Sequence, residues 1–262
     1  MTAVDSTPFS LTKWYMDGVD DNGDAVIFYC AELLWKGISA FYNSILSVRN
    51  GKVEARSSMS RCRLASTKGE ILVEFPKLGV SGRWKSDADP VQRTVYENAS
   101  GSVCWNCLQP RSSVNLRVGD WEFTGSGYAE CLTLTLPPWQ LPMRQLRWGR
   151  FVSRQETLCW VDWQGPYSTC FAVHNGCFRE TVSVSDSLIA LSDVTLRMED
   201  SFPLRTGRLA STILPGAPAL SKLLPRSLFK IEERKWRSRG VLSGQGSASE
   251  GWVIHEVVDW KL

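Results

Sequence analysis

The sequence predicts an all-β fold built as two tandem units, each an antiparallel β-barrel or sandwich with little helix. Three observations carry this reading. The first is a series of runs rich in β-branched and aromatic residues: "AVIFYCAELLW", "EILVEF", "SVNLRV", "AECLTLTL" and "WVIHEVVDW". The second is the punctuation between runs. Asn50-Gly51, Asn175-Gly176 and "DDNGD" at residues 20–24 are hairpin signals, because a type I′ turn needs positive φ at both central residues.

The third observation is that the chain repeats itself. Trp35-Lys36-Gly37 matches Trp163-Gln164-Gly165, and residues 42–51 match residues 167–176, each ending in Asn-Gly. Pro110-Arg111-Ser112 recurs as Pro225-Arg226-Ser227, and Gly127-Tyr128 as Gly251-Trp252. Asn50 lies 77 positions before Gly127, and Asn175 lies 76 before Gly251. Matching anchors in one order give two copies of a unit of about 125 residues, far longer than a solenoid repeat.

The predicted domains are residues 1–139 and 140–262. The join falls in "LPPWQLPMRQLRWGR", residues 136–150, where prolines remove ladder donors and favour a bend. The linker is short and apolar, so the halves are expected to pack together. The copies differ most in an insert at 203–229. Its apolar, proline-interrupted part, residues 211–224, reads as a surface crossover loop or as a short helix serving as lid or plug.

Composition narrows the classes. The 262 residues carry 30 basic and 27 acidic side chains, a formal charge of +3, which is too balanced to predict nucleic-acid binding. No apolar run reaches the roughly 20 residues of a membrane helix. The opening lacks a basic end followed by an apolar stretch, so no secretory leader is expected and a cytoplasmic location is. Contact with a membrane surface and oligomeric state stay open. The eight cysteines sit mostly in strand-like runs, where a free thiol acts as a small hydrophobe. Cys104-Trp105-Asn106-Cys107 is a CxxC without the α/β context of a redox site. Cys170, His174 and Cys177 are spaced irregularly for zinc. No metal and no cofactor is predicted.

The twelve tryptophans are the unusual feature. Each indole is a large apolar surface with one polar handle. They build either a core or a pocket for an apolar ligand. Strand alternation then selects acids. Glu130 shares a face with Tyr128, Leu132, Leu134 and Leu136. Glu256 shares one with Trp252, Ile254, Val258 and Trp260. Asp162 shares one with Leu158 and Trp160. A carboxyl in such surroundings resists ionisation, and a neutral acid can donate a proton, worth about 10²–10⁴ in rate. Glu130, Asp162 and Glu256 are therefore the candidate catalytic residues. Trp35, Tyr42, Tyr128, Trp148, Trp160, Trp163, Tyr167 and Trp252 are the candidate ligand-binding residues. His174, matched to Arg49 in the first copy, reads as exposed; His255 reads as exposed or at a seam between halves. "KIEERKWRSRG", residues 230–240, reads as a solvated strand or turn.

The stretch from Gly127 to Phe151, "GYAECLTLTLPPWQLPMRQLRWGRF", the Trp-rich openings of both halves, and "GWVIHEVVDW" near the end resemble the lipocalin-like proteins grouped with carotenoid 1,2-hydratase (hydroxyneurosporene synthase) and AttH. The resemblance implies two tandem lipocalin-like, calycin-type β domains. It also implies activities of that family: hydration or cyclisation of isoprenoid and polyene chains. The family's histidine- and aspartate-rich stretch after Gly-Tyr is missing here, where Cys131 and Leu132 follow Glu130.

Two readings of function stand together. One is a protein that binds a hydrophobic small molecule, an isoprenoid, polyene or lipid, in an aromatic-lined β-barrel cavity. The other is a cofactor-independent, acid-catalysed hydratase, cyclase or isomerase acting on such a molecule. An apolar pocket with a few polar groups serves both.

Overall fold

The computed structural model describes residues 9–180, 182–208, 225–244 and 246–260. The loop-or-lid stretch at 211–224 lies outside the described residues. No helix among those described is long and apolar enough to cross a membrane.

The first sheet contains β1 (Ser10–Val19), β2 (Ala25–Trp35), β3 (Ile38–Arg49), β4 (Lys52–Ser58), β5 (Arg63–Thr67), β6 (Glu70–Phe75), β7 (Val80–Ser86), β8 (Val91–Asn98), β9 (Gly101–Val118) and β10 (Trp121–Leu134). The second contains β11 (Gln145–Val152), β12 (Thr157–Gln164), β13 (Thr169–His174), β14 (Cys177–Arg179), β15 (Ser183–Val184), β16 (Leu188–Ala190), β17 (Val194–Arg208), β18 (Glu232–Gly244) and β19 (Ser247–Asp259). The strand orders are β4-β3-β2-β1-β10-β9-β7-β6-β5, with β8 also on β9, and β14-β13-β12-β11-β19-β18-β17-β16-β15. The two orders are the same plan: in each, the first and last strands pair at the centre, and all the ladders are antiparallel. In the second copy the single strand β17 runs along β18 where β7 and β8 share β9.

The two Asn-Gly turns have the expected backbone. Asn50 and Gly51 have φ of 51° and 74°, and Asn175 and Gly176 have 48° and 80°, the left-handed values a type I′ turn requires. "DDNGD" differs. Only Gly23 has positive φ, at 87°. The Asp20 N–H donates to the Asp24 carbonyl at 3.0 Å, and Asp20 Oδ1 accepts from the Asn22 and Asp24 N–H groups at 2.9 and 2.8 Å. The side chain of Asp20 thus organises a longer loop whose glycine takes the single left-handed position. The Pro-Arg-Ser anchor also differs. Pro110 lies inside β9, whereas Arg226 opens a 3₁₀ turn, Arg226–Lys230, ahead of β18.

Each half has its own interior. Met16, Phe28, Phe75 and Trp84 belong to the core of the first half, and Phe151, Trp160, Leu196 and Val253 to that of the second. The largest cluster belongs to neither alone. It joins Tyr15, Ile27, Tyr29, Trp105, Cys107 and Tyr128 to Trp148, Cys159, Val161, Trp163, Phe171 and Ile254. The central strands of the two sheets are therefore buried on both faces. Tyr15 faces this seam while Met16 faces the interior of its own half. This explains the unbroken burial of Met16–Val19 and of Trp148–Val152, which an ordinary one-sided antiparallel strand does not show.

At the seam the side chains of Asp17 and Arg150 meet, both fully buried. Arg150 Nη2 donates to Asp17 Oδ1 at 2.6 Å and Nε to Oδ2 at 3.0 Å, a two-pronged charge-assisted pair. Arg150 Nη1 donates to the Trp252 carbonyl at 2.8 Å, and Tyr15 OH donates to Asp17 Oδ2 at 2.8 Å. The backbone is close-packed here too. A Cβ on Gly127 would stand 2.0 Å from the Asp17 carbonyl oxygen, so only glycine lets β10 lie against β1 at this level.

Removing one partner of a buried pair strands the other charge, at a cost of about 3–5 kcal/mol. Arg150→Met or Asp17→Leu alone is expected to lose that much in urea unfolding, and the double replacement to recover most of it. Near-additive losses in the double variant would show that the pair is not the linkage between the halves.

Candidate functional site

The seam collects the chemistry. Tyr128 and Glu130 reach it from β10, next to a break in the β9–β10 ladder. Register shifts fall between Gly127 and Ala129 and between Ala129 and Glu130, so Pro110 and Arg111 together oppose Tyr128. Proline, which has no N–H to give a ladder, is tolerated at such a bulge, and bulges re-aim neighbouring side chains.

Glu130 Oε2 accepts from Trp105 Nε1 at 2.5 Å and from Tyr128 OH at 2.8 Å. Burial pushes the Glu130 carboxyl above its ordinary value of 4.5, and the bonds from Trp105 and Tyr128 only partly offset this. Trp148 packs edge-on to Tyr15 and Tyr128, with ring centroids 4.8 and 5.8 Å apart. Its indole N–H has no hydrogen-bond partner among the described residues, although its nearness to Glu130 favours the carboxylate slightly. Burial also raises the Tyr15 and Tyr128 hydroxyls well above 10.0.

The second part of the seam is a charged group on β18. Lys235 is fully buried and Glu233 is 4% exposed. Lys235 Nζ bonds Glu233 Oε1 at 3.2 Å and closely contacts Glu256 Oε2. It stands 5.6 and 5.4 Å from the ring centroids of Tyr15 and Tyr29. Burial lowers the Lys235 ammonium to about 8 despite Glu233. Glu233 is itself held below 4.5, because Lys235 and Arg205 outweigh its burial. This group too lies beside a proline-containing bulge: the β17–β18 register shifts between Pro203 and Arg205, and Arg205 opposes Lys235. The stretch 230–240, expected to be solvated, therefore faces inward at Glu233 and Lys235. Glu233 and Lys235 are paired with each other and with Arg205 and Glu256, while Arg234 pairs with Asp259.

Of the sequence-selected residues, Glu130, Tyr128 and Trp148 meet. Glu256 is the cross-strand partner of Trp148 and pairs with Lys235. Tyr42 lies near Arg205 and Glu233, though burial chiefly raises its hydroxyl. Three further aromatics differ in exposure: Trp163 is buried in the seam, Trp252 is half-buried and Tyr167 is exposed. Trp163 stacks on Tyr96 at 5.8 Å, Tyr167 OH donates to the Val95 carbonyl at 2.9 Å, and Trp252 packs on the Gly23 turn. Trp35 is half-buried against Trp139, 5.0 Å between centroids. Trp160 and Asp162 are not brought in. Val161 and Trp163 face the seam, so their neighbours point into the second half, where Trp160 is core and Asp162 accepts from Gln164 Nε2 at 2.6 Å.

Both histidines are buried. His174, expected at the surface, is 9% exposed and lies 3.4 Å from Glu156 Oε1. His255 stacks on Trp236, with Nε2 3.0 Å from Ser238 Oγ; burial lowers it to about 4, so it is neutral at pH 7. Cys104 and Cys107 take opposite faces of β9. An open cleft of about 1050 Å³ on β5–β7, lined by Arg61, Leu64, Leu72 and Arg83 among others, contains none of the selected residues.

No protein-family model and no curated protein sequence matches the chain. Solved structures do. CghA bound to Sch210972 has a TM-score of 0.59 at 8% identity, covering 96% of this chain and 88% of that one. Kievitone hydratase from Nectria haematococca has 0.58 at 10%, covering 98% and 91%. A putative AttH from Nitrosomonas europaea has 0.53 at 10%, covering 99% and 97%. The chain has the tandem lipocalin-like fold. The resemblance read from the sequence thus holds at the level of architecture, along nearly the whole chain.

Glu130 yields a pH test. A carboxyl whose folded value is raised holds more protons when folded, so its presence lowers stability progressively as pH rises from about 4.5 to its folded value. Glu130→Gln removes that dependence. Its stability relative to the parent protein is expected to improve between pH 5 and pH 8 in urea unfolding; a difference that stays flat over that range and changes only below about pH 4.5 would mean the acid is stabilised as its anion.

Proposed function

We propose that the chain binds a hydrophobic small molecule of isoprenoid, polyene or lipid type at the seam between its two sheets. The observation that carries this reading is Glu130: a buried carboxyl, raised by desolvation, bonded to Trp105 and Tyr128 and flanked by Trp148. The hydrogen bonds from Trp105 and Tyr128 both end on Oε2, and in this reading the ligand meets the carboxyl from its Oε1 side. Aromatic faces on either side, Trp163 among them, supply apolar area, and the more exposed Tyr167 and Trp252 supply the approach.

The same acid favours a second reading, acid-catalysed hydration, cyclisation or isomerisation of that ligand. A neutral carboxyl protonates an alkene, and indole and phenol rings stabilise the cation that forms. One structural neighbour is named a hydratase, which fits this reading; CghA, solved with Sch210972, fits ligand binding in either reading. In this reading Glu130 is the proton donor and Glu256 acts through Lys235. Asp162, turned into the second half, takes no part.

The test uses geraniol, farnesol and β-carotene with the purified chain. Native mass spectrometry and quenching of tryptophan fluorescence report binding, and product analysis reports turnover. Binding that survives Glu130→Gln while turnover falls by about 10²-fold or more supports catalysis. Binding without turnover in either form supports a carrier. No quenching and no retained ligand would overturn both.

A further inference from the structure

We infer that Lys235 captures carbonyl ligands: its amine forms an imine with the aldehyde end of an apolar, conjugated molecule held at the seam. This deepens the ligand-binding reading and rests on it.

Four observations converge on Lys235. Its side chain is fully buried, out of reach of bulk water that would hydrolyse an imine. Tyr15 and Tyr29 present their ring faces 5.6 and 5.4 Å from Nζ, so a conjugated chain attached to the carbonyl carbon would meet aromatic surface. Two carboxylates, Glu233 and Glu256, touch the amine, with Arg205 3.6 Å from Glu233 as the second cation of the group, so a cation at Nζ, ammonium or iminium, is held on two sides. Beside it, two buried polar atoms make no hydrogen bond among the described residues: Arg205 Nη2, and Glu233 Oε2, which has only the ion-pair contact with Arg205 Nη1 at 3.6 Å. A buried donor without a partner costs about 1–3 kcal/mol. A carbonyl oxygen accepting from Arg205 Nη2 satisfies it, and the hydroxyl of the first adduct can donate to Glu233 Oε2.

The chemistry closes on these groups. The ammonium passes a proton to a carboxylate, Glu256 being in contact. The freed amine attacks the carbonyl carbon. A C–N bond forms as the C=O π pair moves to oxygen, which takes up a proton. The added nitrogen, now carrying two hydrogens and a positive charge, gives up one proton to a neighbouring carboxylate, which passes it to the carbinolamine hydroxyl; water leaves, and the freed nitrogen lone pair completes C=N. Aldehyde and ammonium give a protonated imine and one water, with charge conserved. The iminium then occupies the place of the ammonium between Glu233 and Glu256. With Lys235 at about 8, about a tenth of the amine is already free at pH 7, so capture proceeds without a strong base.

The test incubates the full chain with all-trans-retinal, and separately with cinnamaldehyde as a smaller probe, followed by cyanoborohydride reduction and peptide mapping. All-trans-retinol, which has no carbonyl, measures binding alone. One reduced adduct per chain is expected, on Lys235, absent in Lys235→Arg and formed about a hundredfold more slowly in Glu256→Gln. Circular dichroism checks that both variants fold, and mapping of the unmodified sequence decides the site even if one does not. Adducts confined to exposed lysines such as Lys52, or no adduct with either aldehyde while retinol binds, would overturn the inference and leave the ligand-binding reading intact. Failure of retinol and of both aldehydes to bind would count against both.

Discussion

The Asp17–Arg150 pair sets the relation between the two halves. Arg150 comes from the first strand of the second sheet, and Asp17 from the first strand of the first. Each spends its hydrogen bonds on the other or on close neighbours: Tyr15 on Asp17, the Trp252 carbonyl on Arg150. Charges of this kind tolerate removal from water only when geometry is good and every prong is used. The pair therefore fixes register between the sheets more stringently than apolar packing does, since hydrophobic contact is non-directional. With that register set, Trp148 comes to rest against Tyr15 and Tyr128, and Lys235 over Tyr15.

A buried seam between two duplicated sheets differs from a cavity inside one barrel. In a single barrel the interior faces of one sheet line the ligand. Here the outer faces of the central strands are turned toward each other, and each half keeps a separate apolar core of its own. Glu130 and Glu256 are on the shared faces; Asp162 is on a private one. Duplication does not produce symmetric chemistry. The first sheet supplies a carboxyl among indoles and phenols, and the second supplies a lysine between two glutamates. In both, a proline-containing bulge adjoins the buried ionisable group. Bulges there break the ladder and turn side chains, which a regular strand would not permit.

The architecture was legible because its causes are local. β-branched runs, Asn-Gly turns and a repeated phrase specify strands and hairpins before any long-range contact forms. The alternation rule placed Tyr128 and Glu130 together, and Trp252 with Glu256, correctly on common faces. It did not say which face meets what, and that is why Trp160 and Asp162 were grouped with residues they turn away from. Asp17, Arg150, Glu233 and Lys235 were missed for a related reason. An isolated charge in an apolar run, or alternating acids and bases such as "EERKWR", reads as surface unless its partner is visible. The partners lie far away in sequence: 133 positions separate Asp17 from Arg150. Strand periodicity carries no information over that distance. His174 shows the same limit, since its burial depends on Glu156 and the packing of β12, not on the arginine in the other copy.

The protonation state of Glu130 is the most direct measure of a dry seam. Infrared difference spectroscopy of the parent protein against Glu130→Gln, across pH 4 to 8, isolates the carbonyl stretch of that one acid. A protonated-carboxyl band that persists well above pH 4.5 and is missing from the variant is the expected result. A band that titrates away at or below pH 4.5 would place Glu130 in a water-like setting and contradict the enclosed site.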